Sequence, residues 1–480
     1  MTGRKLRPVI VYGNDFMNIS IITVFPELHD VFIKTSIIGR AVAKGLVEFN
    51  IVRLSDMCCP KERIDEVTIG PGAGMIIRPI VIQRAIAACE ERWGSGIKIF
   101  FSPQGIRLNQ RKLAAIGNFF LDQWGQLSTE DKELQKKECI PTKKNHIILF
   151  CPRYEGIDAR VEEHYADLTI SIGDYVVMGG DLPAQVFLEG FLRLFPGIVG
   201  KQESVDQESF QTPFLDHPVY GLPVIWEEKS VPDVLRSGNH AEIERWRKGA
   251  AAQKTIKNRF DWFVCGQPKQ EDIELAMQFI PPHYVALMHT DVNLKGGLVG
   301  TTSVASLDIH DTARACATYG VKNFFIVTPL IDQQNIIKTF LNFWKSEQGT
   351  KYNPSRQHAV SIVQMVNSFD DLIAAIKERE GVSPVVVATS AKDHAFGIKI
   401  DYHSQSEVWQ DNRPVLFVFG TGQGLSDQIL AKVDYLLVPL QGLPKYNHLS
   451  VRSAVSIILD RWLGLQPQLD VKDKTGKKSL

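Results

Sequence analysis

The order of apolar runs and turn-forming loops predicts an α/β protein: two parallel-sheet domains in tandem with a helical segment between them. Two observations carry this prediction. Short strand-like apolar runs alternate with amphipathic helical stretches, the pattern of a parallel sheet covered on both faces. A triple of strands, each ending in a turn-forming loop, also occurs late in each half, in the same order but in different letters. The length of 480 residues leaves room for about three domains at roughly 150 residues each.

In the first half, Ile97–Phe101 runs into Ser102-Pro103-Gln104-Gly105, and His146–Cys151 into Pro152-Arg153-Tyr154-Glu155-Gly156. Leu168–Ile172, closing on Ser171 and Ile172, runs into Gly173-Asp174-Tyr175, with Val177 and the Gly179-Gly180 pair just beyond. A helix is expected over Leu182–Phe195, and the lysine-rich stretch 123–145 reads as a surface insertion. Between the halves, Ser204 to about Phe263 reads as helical and charged, with Ser237-Gly238-Asn239 as a cap for a helix from His240. Cys265–Pro282, ending on two prolines, reads as a linker. In the second half, Pro384–Ala388 leads into Thr389-Ser390-Ala391, and Pro414–Phe419 into Gly420-Thr421-Gly422-Gln423-Gly424. Asp434–Leu440 leads into Gln441-Gly442 and then Tyr446-Asn447-His448. A helix over Ser450–Leu463 follows, with Ala454, Ile457, Ile458, Arg461 and Trp462 expected on one face. The expected division is an N-terminal extension (1–16), a first α/β domain (17–200), a helical domain (201–264), a linker (265–282), a second α/β domain (283–465) and a tail (466–480).

Basic and acidic residues balance at 54 each, so no global basicity announces a nucleic-acid partner, although a basic stripe on one face is compatible with neutrality. The seven cysteines (58, 59, 89, 139, 151, 265 and 316) follow no metal-ligand spacing and contain no CxxC. No metal site and no disulfide framework are expected, and a reducing cytoplasm fits best. The apolar run Val9–Tyr12 is too short for a signal or an anchor, so no membrane association is expected.

Ligands of parallel sheets bind at the carboxyl ends of the strands, where these loops lie. Gly70-Pro71-Gly72-Ala73-Gly74 follows a polar stretch rather than a strand and lacks the context of a dinucleotide loop. Gly420–Gly424 does follow a strand. Leu425, however, stands where a helix-packing glycine is needed, and too few residues follow for a Rossmann domain. What remains is exposed backbone N–H that a ligand can approach closely. Arg153-Tyr154-Glu155 alone reads as a cap plus a surface cation, and Asp174 and Tyr175 alone read as turn residues. Arg193, at the polar end of its helix, and Glu208, in an acidic stretch, alone read as solvated charges. Three such loops arriving at one sheet edge read as a binding site.

These segments are specific enough to carry a resemblance. Residues 17 to about 263 resemble the bacterial tRNA (guanine-N1) methyltransferase family. The matching segments are Ile21–Glu27, Thr35–Ala41, Gly72–Met75, Ser102–Gly105, Arg153–Arg160, Ser171–Val176, Gly179–Ala184, Pro196-Gly197 and Val231–Arg247. The resemblance implies a trefoil-knotted α/β domain of the SPOUT type, a helical tRNA-binding domain, and a homodimer with sites shared between subunits. It implies S-adenosylmethionine in the knot, against Ser102, Pro103, Gln104, Gly105, Pro152, Tyr154, Glu155, Gly156, Ser171, Ile172, Gly173, Asp174, Tyr175, Val177, Gly179, Gly180 and Pro183. Mg²⁺ stays open. The target would be N1 of the guanosine 3′ of the anticodon (position 37), with Glu208 as the base and Arg193 as its partner. Glu208 stands where the family has Asp, and Pro152 replaces a family Gly, removing an N–H from the loop.

Residues from about 283 to 463 resemble a second knotted RNA methyltransferase family through Leu307–Arg314, Thr318–Val321, Tyr352–Arg356, Ala388–Ala391, Phe419–Leu425 and Tyr446–Ala454. The resemblance implies a second S-adenosylmethionine site at Thr389, Ser390, Phe419, Gly420, Thr421, Gly422, Gly424, Leu440, Asn447, Leu449 and Ser450. Its candidate catalytic residues are Arg314, Asn447 and Arg452. The fold class is thus two knotted SPOUT methyltransferase domains in tandem around a helical domain. An alternative leaves the first half as a tRNA-binding and dimerisation module and gives catalysis, with ribose 2′-O chemistry, to the second.

Overall fold

The computed structural model describes residues 17–70, 74–125, 146–199, 208–394 and 397–466. The expected N-terminal extension, nearly all of the lysine-rich insertion, Pro71–Ala73 and most of the tail lie outside the described residues. The chain divides into two compact units at Gln211–Thr212.

The first unit is built on one parallel sheet of β1 (Met17–Thr23), β2 (Val47–Arg53), β3 (Ile97–Arg107), β4 (His146–Phe150) and β5 (Leu168–Ser171), in the order β2-β1-β4-β3-β5. Its central strands are buried on both faces, as an uninterrupted apolar run such as His146–Phe150 requires. One face packs against the helix Asp181–Leu192 through Phe187 and Phe191, which stack on each other, with Phe101 tilted against Phe187 and Phe120 edge-on to Phe191. The other face packs against Pro79–Trp93, whose proline opens the first turn, where a missing N–H costs nothing. Ser102–Gly105 was expected to end its strand. Instead it bulges out of it: pairing with β5 breaks after Phe101 and resumes at Ile106.

The second unit holds a seven-stranded parallel sheet. Its strands are β6 (His283–Met288), β7 (Asn323–Val327), β8 (Val363–Val366), β9 (Val385–Thr389), β10 (Lys399–Ile400), β11 (Val415–Gly420) and β12 (Tyr435–Leu437). The order is β8-β7-β6-β11-β9-β12-β10. Without its two edge strands this is the connectivity of the first sheet, with β6, β7, β11, β9 and β12 in the roles of β1, β2, β4, β3 and β5. The repeated strand triple therefore corresponds to a repeated topology. Ser450 caps the last helix, Val451–Leu463, by accepting from Ser453 N–H. That helix buries Val455, Ile458, Leu459 and Trp462, so its core face is turned one position from the expected one.

The helical segment packs within this second unit. Asn239 caps His240–Asn258 by accepting from the N–H groups of Ala241 and Glu242. Ala252, Ile256, Phe260 and Phe263 share a core with Trp409, Phe417 and Trp462, and Phe260 meets Trp409 edge-on at 4.8 Å. The stretch 265–282 holds a further helix, Gln270–Met277, whose Ala276 joins the same core. Among the described residues, no helix is long and apolar enough to cross a membrane.

Candidate functional site

In the first unit the three loops meet at the carboxyl edge of β3, β4 and β5. Gly105 lies so close to the backbone of Thr169 that a Cβ there would stand 2.6 Å from its carbonyl. Gly180 donates its N–H to the Pro152 carbonyl at 2.8 Å, and a Cβ on Gly180 would stand 2.4 Å from the proline ring. Pro152 thus lacks a donor, yet its carbonyl ties its loop to the Gly179-Gly180 pair. Tyr154 is held at φ +61°, an uncommon conformation for a bulky residue, with Gly156 at +121° behind it. Glu155 N–H donates to Met75 O at 3.0 Å and Ile77 N–H to Gly156 O at 3.2 Å, lacing this loop to Met75–Ile77. Ser171 Oγ donates to Gly173 O at 3.0 Å, Asp174 pairs with Arg107 on the surface, and the Tyr154 and Tyr175 rings are exposed. Ile172 and Val177 are half-buried, and Pro183 is buried inside its helix.

Beneath the loops sits a group that motif reading missed. Asp181, fully buried, accepts from Thr23 Oγ1 at the end of β1, from His29 Nε2 at 3.0 Å and from Arg153 Nε at 2.7 Å. Burial pushes its pKa upward. The bonds from His29 and Thr23 and the Arg153 charge outweigh that, and they hold the carboxyl below its ordinary value. Arg153 also lies over the Phe25 ring at 4.9 Å. Cys151 stands beside His29 and Asp181, close enough for the three to share a metal ion. Both Asp181 oxygens are already engaged by hydrogen bonds, however, and burial keeps the Cys151 thiol well above its ordinary pKa. The cluster works as an anchor: one carboxylate at the head of the Asp181–Leu192 helix ties the Arg153 loop to the end of β1 and to the helix Glu27–Lys34.

Arg193 and Glu208 come together, with Arg193 Nη2 donating to Glu208 Oε1 at 2.6 Å, both partly exposed. They do not join the loops of their own chain. Asp181 and Arg193 lie twelve residues apart, at opposite ends of the Asp181–Leu192 helix, and twelve residues of α-helix span about 18 Å. One chain therefore presents the loops at one end of this helix and the ion pair at the other.

The second unit repeats the loop cluster. Thr389 Oγ1 donates to Val418 O at 3.1 Å, and Asn447 Nδ2 donates to Ala391 O at 2.8 Å, joining the first and last loops. A Cβ on Gly420 would stand 2.6 Å from the Leu425 nitrogen, and Gly422 and Gly424 have φ of +61° and +104°. Ser390 pairs with His394 at 2.9 Å, Leu449 is exposed, and Leu440 packs on the core. Phe419 is buried, so it offers a ligand only its backbone. Beneath Thr421 runs a polar chain, with His289 Nδ1 to Thr302 Oγ1 at 3.1 Å, Thr302 to Thr421 at 2.6 Å, and Thr421 to Met288 O at 2.8 Å. Burial depresses the His289 pKa to about 4 against the opposing charge of Asp308. Arg452 binds Asp308 at 3.1 Å and Asp311 at 3.6 Å. Arg314 is exposed, three residues beyond Asp311 on the same helix.

A family model described as tRNA (Guanine-1)-methyltransferase TrmD matches residues 17–119 and 126–264, and one described as SAM-dependent RNA methyltransferase matches 282–464. The tRNA (guanine-N(1)-)-methyltransferase of Nitratidesulfovibrio vulgaris is 34% identical over 454 residues, covering 93% of this chain and 99% of the relative. The protein of the same name from Oleidesulfovibrio alaskensis is 33% identical with the same coverage. That from Thermotoga maritima is 39% identical over 257 residues, 53% of this chain and 94% of the relative.

Proposed function

Because the chain belongs to the tRNA (guanine-N1)-methyltransferase family, we propose that its first half methylates N1 of the guanosine 3′ of the anticodon, position 37. The chain is a methyltransferase with S-adenosylmethionine as co-substrate. In this reading the knotted loops Ser102–Gly105, Pro152–Gly156 and Ser171–Gly180 hold S-adenosylmethionine. The seams at Gly105 and Gly180, where any Cβ would strike backbone or proline, suit loops that present N–H and C=O groups to a flat adenine edge. When bound, the co-substrate supplies an electrophilic methyl group.

The observation that carries the reading is the separation of the Arg193–Glu208 pair from the loops of its own chain. A homodimer in which each pair faces the partner's loops resolves it, and an isologous interface satisfies both sites at once. Phe25, Leu28, Val31 and Leu182 give the first unit an exposed apolar face suited to that contact. At neutral pH guanine N1 carries a proton. Glu208 accepts it, and Arg193 holds the carboxylate in one orientation while its remaining N–H groups face the charge developing on O6. The target base must leave its stack to reach these groups. The helical segment 212–264 supplies a tRNA-binding surface, since His240–Asn258 exposes Arg245, Arg247, Lys248, Lys254 and Lys257. The second half is a further RNA methyltransferase with its own cofactor loops, and both reactions belong in the cytoplasm.

Labelled S-adenosylmethionine and unmodified tRNA test this, with Glu208→Gln and Arg452→Ala prepared in the full chain. Glu208→Gln should remove 1-methylguanosine alone, and Arg452→Ala should spare it. If Glu208→Gln left that product intact, Glu208 would not be the base.

A further inference from the structure

The second unit carries a surface that neither its cofactor loops nor Arg452 uses. The helix Ser306–Thr318 presents two different faces. Asp308 and Asp311 turn to Arg452, at the start of the last helix and beside the cofactor loops. His310 faces away from them, into a groove closed by Ile331–Lys345. There it stands edge-on to Phe340 at 4.6 Å and to Trp344 at 5.5 Å. The Arg356 guanidinium lies over the Trp344 ring at 5.3 Å, and Phe343 is half exposed on the rim. Asn353 accepts from Arg356 N–H at 2.9 Å, capping the short helix Pro354–Ser361 and setting where that arginine emerges. Arg314 is four residues beyond His310, so it occupies the same helix face.

Two segments that the cofactor loops leave without a role, Leu307–Arg314 and Tyr352–Arg356, thus converge on one groove. Its chemistry is specific. His310 Nδ1 is buried without a partner. Burial first, then the positive field of Arg356, lower the His310 pKa against the opposing charge of Asp311, with Arg314 adding to the lowering, so the ring is a neutral aromatic wall between two cations. Among the described residues neither guanidinium has a carboxylate within ion-pair distance. Aromatic faces flanked by uncompensated cations suit an unstacked nucleotide, whose base stacks while its phosphates meet arginine. An apolar peptide would cover the rings and leave both cations without counter-charge.

We propose that this groove binds a single-stranded nucleotide of the RNA on which the second half acts. The base stacks on the half-exposed Phe343 ring, and Arg314 and Arg356 take the flanking phosphates. The proposal rests on reading the second half as an RNA methyltransferase. The groove and Arg452 lie on different faces of the helix Ser306–Thr318, so RNA held here is one helix away from Arg452.

The test uses the full chain and a fluorescent single-stranded oligoribonucleotide carrying 4-thiouridine, with affinity and photo-crosslinked positions both measured. The parent should crosslink within 310–356. Phe343→Ala and Arg356→Glu should each weaken binding by about tenfold and lose the crosslink, while Phe343→Tyr keeps both. Crosslinks confined to other regions, or unchanged affinity in both disruptive variants, would overturn the proposal. So would a Phe343→Ala variant that changed only the oligomeric state in sedimentation, because that marks a protein contact. Methyl transfer to RNA, measured separately, distinguishes the two failures. Groove-dependent binding without transfer upholds the groove and contradicts the enzymatic reading of the second half.

Discussion

Arg193 donates to Glu208 at 2.6 Å, and the pair stands at the far end of a helix whose first residue, Asp181, holds Arg153 of the Pro152–Gly156 loop. This relationship makes the side-chain length at position 208 matter. Glu208→Asp pulls the carboxylate back by about 1.5 Å, a shift on the scale that costs up to two orders of magnitude in rate. Single-turnover formation of 1-methylguanosine should fall by about tenfold in Glu208→Asp and by at least about a hundredfold in Glu208→Gln. Equal rates for the parent and both variants would show that the reaction does not use this carboxylate.

Asp181→Asn replaces the carboxylate that Thr23, His29 and Arg153 share, and leaves the largely buried Arg153 unpaired. Breaking such a pair from one side costs about 3–5 kcal/mol. Calorimetry should show a lower Tm, and isothermal titration weaker S-adenosylmethionine binding, because the Arg153 loop loses its tie to the helix that follows Gly179-Gly180. The folded-state pKa of Asp181 lies below its ordinary value. Its contribution to stability is therefore complete above the unfolded carboxyl range and disappears as pH falls below about 4.

His283 titrates the second unit in a different window. Its Nδ1 donates to Pro281 O at 2.7 Å, and its Nε2 accepts from Trp462 Nε1 at 3.0 Å, so the neutral ring uses both nitrogens. Burial pushes its pKa down to about 4, as it does for His289. The unfolded chain takes up these protons near pH 6.5 and the folded chain does not. Stability is therefore full above about pH 6.5 and falls progressively down to about pH 4, by of the order of 3 kcal/mol for each histidine. Denaturation with urea across this range should show that slope, and His283→Gln should reduce it by about half, leaving the share of His289.

Gly180→Ala places a Cβ against the Pro152 ring and the Cys151 backbone, and Gly105→Ala places one against Thr169. Either variant forces loops apart that the cofactor needs together. S-adenosylmethionine affinity, read by titration, should fall by about tenfold or more in each. Gly221→Ala, where a Cβ meets nothing, serves as the neutral control.

The strand triples were legible because β4, β9 and β11 are unbroken apolar runs followed by turn-forming residues, proline after β4, glycine after β11 and Ser390-Ala391 after β9, a local signal. Asp181 was not legible. At the head of Gly179–Ala184 it reads as a helix start, and its partners Thr23 and His29 lie 158 and 152 residues away. His283 and Trp462, 179 residues apart, were hidden for the same reason. The last helix presents two overlapping apolar stripes that share Ile458 and Trp462, and only packing against the sheet chooses between them. The strand beyond Ser102–Gly105 was missed because a proline and a glycine read as an end, where pairing with β5 carries the chain on to Arg107.

The central claim is the identity and place of the methylated base. Unmodified tRNA with guanosine at position 37 should be incubated with the full chain and S-adenosylmethionine, digested, and its nucleosides mapped by mass spectrometry. The account predicts 1-methylguanosine at that position, lost when the guanosine is replaced by adenosine. Absence of 1-methylguanosine, or its appearance at another guanosine with position 37 untouched, would contradict it.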